Sequence, residues 1–375
     1  MTYLVDSSGP GPRVHALIIG VGRYRHLDGG DEPASYDTLV YDQLTSPPVS
    51  AAAFARWVRD ELRHPVAEPG SVDLLLSPGE TSDPGGESMH VEVPSADAVV
   101  RAVDRWRSRC DSDPENVALF YFSGHGIDNG NPLLLLEDFA RNRSRILDAA
   151  LDRIDLVAGM RTCKAAYQYY FVDCCRERKD RLDQLREAHT LPLPDVVEGP
   201  ETRRDLTVVS ASVHGRTAGG TPHAVSDFTQ ALLDALAGRA ASRLEGQWRV
   251  TSLGLYRTIH ELTGVAPVLQ PPTMSVLGDC TLHLFDGAPH VPLGVRCAPE
   301  GAATFADISL AEGNTGHRPV LKLEDMVWRA TAPAGVYAVG VDFPDRSYTP
   351  LPSSPLLHAF HPPDLECVVD VERAP

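Results

Sequence analysis

The 375-residue sequence predicts an α/β protein, a doubly wound and mostly parallel sheet flanked by helices, with an all-β module after it. Three observations carry that expectation. Two continuous apolar runs, NVALFYFSGHG (116–126) and YQYYFVDCCRER (167–178), have strand length and no alternation, as parallel strands buried on both faces do. Around them, strand-like and helix-like patterns alternate along the chain. From about Pro289 onward the helical period is gone and only short strand patterns separated by turn residues remain.

After a Gly/Pro-rich lead, VHALIIGVGRY (14–24) is a buried strand ending in a glycine-containing turn. Gly20 and Gly22 are an incomplete phosphate-loop pattern, since Arg25 stands where the third glycine belongs, so an ordinary strand-end turn is the reading. Residues 25–48 form a long polar loop of the sort that lines a cleft. Residues 49–63 place Phe54, Val58 and Leu62 on one helical stripe, with Ser50 as candidate N-cap. VDLLLS (72–77) is the next strand, and a helix from about Ser95 to Arg109 carries Val99, Val103 and Trp106 on one face.

NPLLLLEDF (131–139) reads as a short extended segment, and 148–160 as a helix bearing Leu151, Ile154 and Leu156. Residues 176–205 are charged, then Pro-rich, and read as a mobile, accessible connection. LTVVSAS (206–212) returns to buried strand; 225–238 and 250–264 are helical, closed by Gly238 and Gly264. The division expected is an α/β domain over 1–286 and a β-sandwich-like domain over 287–375.

The balance of 34 basic against 51 acidic residues, a formal charge of −17, argues against a phosphate-backbone partner, so nucleic acid is not expected. The N-terminus shows no basic and apolar leader pattern, and no apolar run reaches membrane-spanning length, so no membrane partner and a cytoplasmic location are expected. Seven cysteines without a repeating spacing suggest neither a disulfide framework nor a metal site. His260 and Glu261 lack a following HExxH, so no zinc chemistry is indicated.

The reactive side chains are His125 and Cys175, each following an apolar strand, where open α/β sheets collect functional groups. An imidazole beside a thiol yields a thiolate nucleophile with a proton donor next to it. Strand periodicity puts Phe171, Asp173 and Cys175 on one face and Val172 and Cys174 on the other, so the two cysteines cannot both face the histidine.

FYFSGHG and VDCCRE, with His125 and Cys175 50 residues apart, resemble the histidine and cysteine motifs of the bacterial-type caspase and metacaspase superfamily of cysteine peptidases. Element order over 13–285 is similar to that family's, and nothing in the resemblance reaches the last module. Where caspases have Gln-Ala-Cys and metacaspases Asp-Ser-Cys-His, this chain reads Asp173, Cys174, Cys175, Arg176, which makes Cys175 the nucleophile by register.

The resemblance implies a caspase-like fold, endopeptidase activity on a protein or peptide substrate, and an oxyanion hole from the backbone N–H groups of Gly126 and Cys175. Asp173 matches a metacaspase aspartate that binds a basic substrate residue, so cleavage after Arg or Lys is expected. A second metacaspase acid has Ser50 as its nearest counterpart here, leaving Asp37 or Asp42 to complete the pocket. Some metacaspases need calcium; the acids of DSDPEN (111–116) lack the glycine and distal glutamate of a calcium loop, so they read as a solvated turn and no cofactor is expected. Caspases are commonly cut in the connection that corresponds to 176–205. The role implied is a regulated effector protease whose β domain contacts a protein partner; the alternative is a non-catalytic caspase-fold scaffold.

Overall fold

The computed structural model describes residues 2–6, 10–33, 41–82, 88–128, 131–174, 190–194, 203–211, 222–264, 272–352, 354 and 356–374. In chain order the elements are β1 (Thr2–Asp6), β2 (Arg13–Val21), α1 (Ser46–Asp60), β3 (Glu68–Ser77), the hairpin β4 (Glu80–Ser82) and β5 (Ser88–His90), and α2 (Ala96–Cys110). Then come β6 (Val117–Gly124), β7 (Gly126–Asp128), β8 (Pro132–Leu135), β9 (Ala150–Asp152), α3 (Arg153–Gly159), β10 (Tyr167–Cys174), β11 (Asp205–Ser210) and α4 (Asp227–Asp234). A second hairpin, β12 (Ala241–Leu244) and β13 (Gln247–Thr251), precedes α5 (Ser252–Gly264), β14 (Thr273–Leu277) and β15 (Thr281–Leu284).

Two compact units divide the chain: Met1–Leu233 with Ile259–His283, and Asp234–Thr258 with Leu284–Pro375. The first is built on a seven-stranded mixed sheet of order β1-β3-β2-β6-β10-β11-β14. Its five inner strands run parallel, while β1 and β14 are antiparallel at the two edges. β6 and β10 are buried along their whole length, as their unbroken apolar sequences require.

Both faces of this sheet are covered. On one, Phe54 of α1 stacks on Tyr121 of β6 at 4.7 Å and meets the edge of Phe171 of β10 at 5.7 Å. On the other, Val99, Val103 and Trp106 of α2 pack with Phe120, Phe122, Tyr170, Val172 and Cys174. The helix ends follow local chemistry. Ser95 caps α2 by accepting from Ala98 N, with Asp97 in the first turn and Arg107 and Arg109 in the last, each sign suited to the helix dipole. α1 starts four residues before Ser50, because Pro47 and Pro48 fit the first helical positions. Ser50 is therefore inside the helix, buried, and is not its cap.

The second unit contains β12, β13 and the strands that end the chain. These are β16 (His290–Ala298), β17 (Asp307–Glu312), β18 (Lys322–Glu324), β19 (Val327–Pro333), β20 (Gly335–Asp342), β21 (Tyr348–Pro350), β22 (Leu357–Phe360) and β23 (Glu366–Arg373). They form a five-stranded sheet, β18-β19-β16-β23-β21, and a three-stranded one, β17-β20-β22. Alternate residues are buried along β17 and β23, the period of strands with one face in a core. Among the described residues no helix is long and apolar enough to cross a membrane.

Candidate active site

β6 ends at Gly124, and the next residue is His125, whose side chain is buried. Its backbone N–H donates to the Tyr24 hydroxyl at 2.7 Å. Its Nε2 lies 2.8 Å from the backbone carbonyl of Asp42. A carbonyl can only accept, so Nε2 carries the proton and the lone pair of the neutral ring is on Nδ1. The rings of Tyr24 and Tyr41 flank the imidazole at 4.9 and 5.0 Å. Backbone and aromatic contacts thus fix both the ring's orientation and its tautomer, which a general acid and base needs.

This arrangement explains Gly124. A Cβ there would meet the Tyr24 hydroxyl at 2.8 Å and the Phe122 ring at 3.1 Å, so only glycine lets Tyr24 reach the histidine. Tyr24 is in turn held by Gln43, whose Oε1 accepts from Tyr24 N at 2.7 Å and whose Nε2 donates to Tyr24 O at 3.1 Å. The two glycines at the end of β2 serve close packing. A Cβ on Gly20 would lie 2.7 Å from Ala51 Cβ, and one on Gly22 2.4 Å from the Leu44 carbonyl.

β10 lies beside β6 in parallel, with Asp173 opposite Ser123 and Cys174 opposite Gly124. The next residues in the two sequences are His125 and Cys175. Cys175 itself, like Asp37, lies outside the described residues, as does most of the 176–205 connection. Cys174 belongs to the apolar cluster with Tyr170, Val172 and α2. Asp173 points to the other face, as the strand alternation requires.

There Asp173 is 4% exposed and meets three hydroxyls at its Oδ2: Ser226 at 2.5 Å, Thr229 at 2.8 Å and Ser123 at 3.1 Å. Burial pushes the Asp173 carboxyl up, the three hydroxyls draw it down, and the net direction is upward. The Tyr121 phenol nearby is also pushed up, by burial and then by the Asp173 charge. Ser50 Oγ accepts from Ser226 N at 3.0 Å and so joins the same cluster. Asp42 is exposed, and the group it brings to His125 is its backbone carbonyl. Gly126 is buried and opens β7, which pairs with β8 through Leu134. Among the described residues no group of three or more His, Cys, Asp or Glu is arranged to hold a metal ion.

The family model described as "Caspase domain" matches residues 13–248. The chain belongs to the caspase-domain family. Members of that family are typically cysteine peptidases, which act on protein substrates. The chain is also 31% identical over 252 residues to the uncharacterized protein y4kE of Sinorhizobium fredii, covering 63% of this chain and 72% of that protein. Among solved structures it is similar to caspase-1 from Spodoptera frugiperda, with TM-score 0.41, 13% identity and coverage of 73% of this chain and 94% of the other. A structure of pro-sf-caspase-1 aligns with TM-score 0.40, 12% identity and coverage of 70% and 91%.

Within this caspase domain, sequence reasoning missed Tyr24, Tyr41, Ser123, Ser226 and Thr229. Tyr24 is 101 residues from the histidine it holds, and Thr229 56 residues from Asp173. A tyrosine after a strand and a serine before a helix carry no local signal of such distant partners. Ser50 did stand out, as the counterpart of a metacaspase acid, and the structure puts it in the Asp173 cluster.

Proposed function

We propose that this protein is a cysteine endopeptidase in which Cys175 is the nucleophile, His125 the general acid and base, and Arg or Lys the residue before the cut. The observation that carries the reading is the setting of His125: Nε2 donates to the Asp42 carbonyl, at a strand end aligned with the residue before Cys175. In this mechanism the Cys175 thiolate adds to the scissile carbonyl, and the backbone N–H groups of Gly126 and Cys175 receive the oxyanion. Collapse breaks the C–N bond as His125 gives its proton to the leaving amine. Water, deprotonated by His125, then hydrolyses the thioester and restores the thiol.

The basic preference is supported by Asp173, a buried carboxylate that no Lys or Arg approaches among the described residues. A guanidinium or ammonium entering beside it gains a charge-assisted hydrogen bond, while an aspartate side chain is repelled. The role is that of a regulated, metacaspase-like effector acting in the cytoplasm. Its all-β unit recruits a protein partner, a reading supported by exposed Val336 and Leu357 on the same face of the β20/β22 pair. Digestion of a peptide library by the wild type and by Cys175→Ala, read by mass spectrometry, tests the activity. Cuts after Arg and Lys that vanish in the variant are expected; identical peptide maps would leave a non-catalytic scaffold.

A further inference from the structure

The carboxylate at the end of β10 is held in an unusual way for a buried charge. Ser226, Thr229 and Ser123 all give hydroxyl protons to one oxygen, Oδ2. Each hydroxyl has a single proton to give, which fixes the direction of the remaining bonds. Thr229 Oγ1 also contacts the Tyr121 hydroxyl at 2.6 Å, so with its own proton committed to Asp173 it accepts from Tyr121. Ser226 Oγ accepts from Thr229 N at 3.2 Å while donating to Asp173, and Ser226 N donates to Ser50 Oγ. Hydroxyl donors from β6 and from the start of α4 therefore converge on one carboxylate oxygen, while Ser50 of α1 accepts from Ser226 N behind them.

A guanidinium partner would stabilise Asp173 by cancelling its charge, whereas hydroxyl dipoles stabilise the charge and leave it whole. No described donor reaches Oδ1. We propose that Ser123, Ser226 and Thr229 are specificity-determining residues of this site: they keep Asp173 ionised with its net charge uncancelled, so that the pocket selects a basic substrate side chain across neutral pH. This rests on the reading of Asp173 as the floor of the substrate pocket. The three are positioning residues, acting through the carboxylate they hold.

The titratable groups facing Asp173 are Tyr121 of β6 and Asp227 of α4; α1 contributes only the Ser50 hydroxyl. Burial and the like charge of Asp227 push the carboxyl up, and the hydroxyls oppose them. Losing one hydroxyl therefore raises the pH at which Asp173 takes a proton. Basic selectivity should then fail first on the acid side and return on the alkaline side.

The test measures kcat/KM on two matched peptides, differing only in Arg or Leu before the cut, from about pH 5.5 to about pH 8.5. The ratio of the two cancels the titration of the dyad, which serves both substrates. In the wild type the ratio favours Arg and falls toward acid. In Thr229→Val it should drop at least about fivefold near pH 6, its falling limb should move to higher pH, and it should rejoin the wild type at the alkaline end. Thr229→Ser, which keeps the hydroxyl, should restore the wild-type profile. Ser123→Ala removes a donor without touching α4 and carries the test if Thr229→Val does not fold. A wild type that prefers Arg with a limb unmoved in these variants, or a ratio lowered equally at every pH, overturns this inference and leaves the proposed specificity standing. A wild type with no preference for Arg at any pH removes the Asp173 reading itself, and this inference with it.

Discussion

Both ends of the parallel strands carry buried polar side chains, and they are wired in opposite ways. In the middle of β3, Asp73 is met by the Arg109 guanidinium at 2.7 Å, and at the start of β11 Asp205 takes the Cys280 backbone N–H at 3.0 Å along with two hydroxyls. Gln168 of β10 gives its amide to the Met160 and Ala165 carbonyls. At the far end, the bonds to Asp173 among the described residues come from hydroxyls, and His125 is held by a backbone carbonyl and a tyrosine. The first end satisfies backbone groups and cancels a carboxylate charge, which serves the fold. In the proposed mechanism the second keeps a charge uncancelled and an imidazole oriented for chemistry.

The sharpest break of this comparison is at the far end. Under the proposed mechanism, His125→Ala and Cys175→Ala should each lower turnover by at least about 10³-fold without loss of the circular dichroism signal of the fold. Cys174→Ala, on the apolar face with Val172, should stay within about threefold of wild-type activity and cost about 1 kcal/mol of stability. If the losses at 174 and 175 were exchanged, the register of the cysteine motif would be off by one.

The near end predicts a stability effect instead. His64, between α1 and β3, accepts from the N–H groups of Val66 and Ala67 and sits with its ring 4.9 Å from Tyr167. Burial pushes its imidazole down to about 4 from an ordinary value of 6.5. The folded state therefore holds it neutral while the unfolded state binds a proton, so its stabilisation is present above pH 6.5 and is lost as pH falls toward 4. The loss should approach about 3 kcal/mol. Urea titrations from about pH 7 to about pH 4 on wild type and His64→Gln measure it, and the variant should show a shallower acid decline.

These contrasts also mark what the sequence made legible. VALFYFSG and YQYYFVDC could only be buried strands, and the stripes Phe54/Val58/Leu62 and Val99/Val103/Trp106 are all buried as their period implies. Shorter elements were harder. The periodicity of 148–160 suggests that Ile154 packs inward, yet α3 begins only at Arg153, its N-cap Asp152 accepts from Ile154 N, and Ile154 is exposed. Gly238, read as a helix stop, lies in a π-turn at φ 138°, where a Cβ would strike Pro289. Strand β1 escaped notice because five residues at a sheet edge, followed by glycine and proline, look like a lead. At the candidate site, His125 and Cys175 had motifs to announce them. The hydroxyls around Asp173 come from two segments far apart in the chain, β6 and the start of α4, and have no local pattern.

A pair of substitutions compares the two carboxylates directly. Asp173→Ala should remove the Arg-over-Leu margin in kcat/KM, expected to be at least about tenfold in the wild type. Asp73→Ala should leave that ratio unchanged and lower stability by about 2 kcal/mol, because it strands the Arg109 guanidinium. A wild-type preference for Asp would overturn the basic pocket and place the protein's specificity with that of caspases.

A milder loss than that of the dyad is expected at Tyr24, which tests how much of the histidine's setting matters. Tyr24→Phe keeps the ring that packs 4.9 Å from the imidazole and deletes only the oxygen that accepts from His125 N. That leaves a buried backbone donor without its partner, at a cost of about 1–2 kcal/mol in stability. The imidazole keeps its bond to the Asp42 carbonyl, so its tautomer survives, and the change reaches catalysis only by loosening the ring's position. Turnover should fall by about threefold to tenfold with KM nearly unchanged, since no substrate contact is lost. Gly124→Ala acts on the same contact from the other side by pushing the Tyr24 hydroxyl away, so it should reproduce the loss and add to it. If Tyr24→Phe were instead as inactive as His125→Ala, the hydroxyl would be acting on the chemistry itself, and its role as a support for the histidine backbone would have to be abandoned.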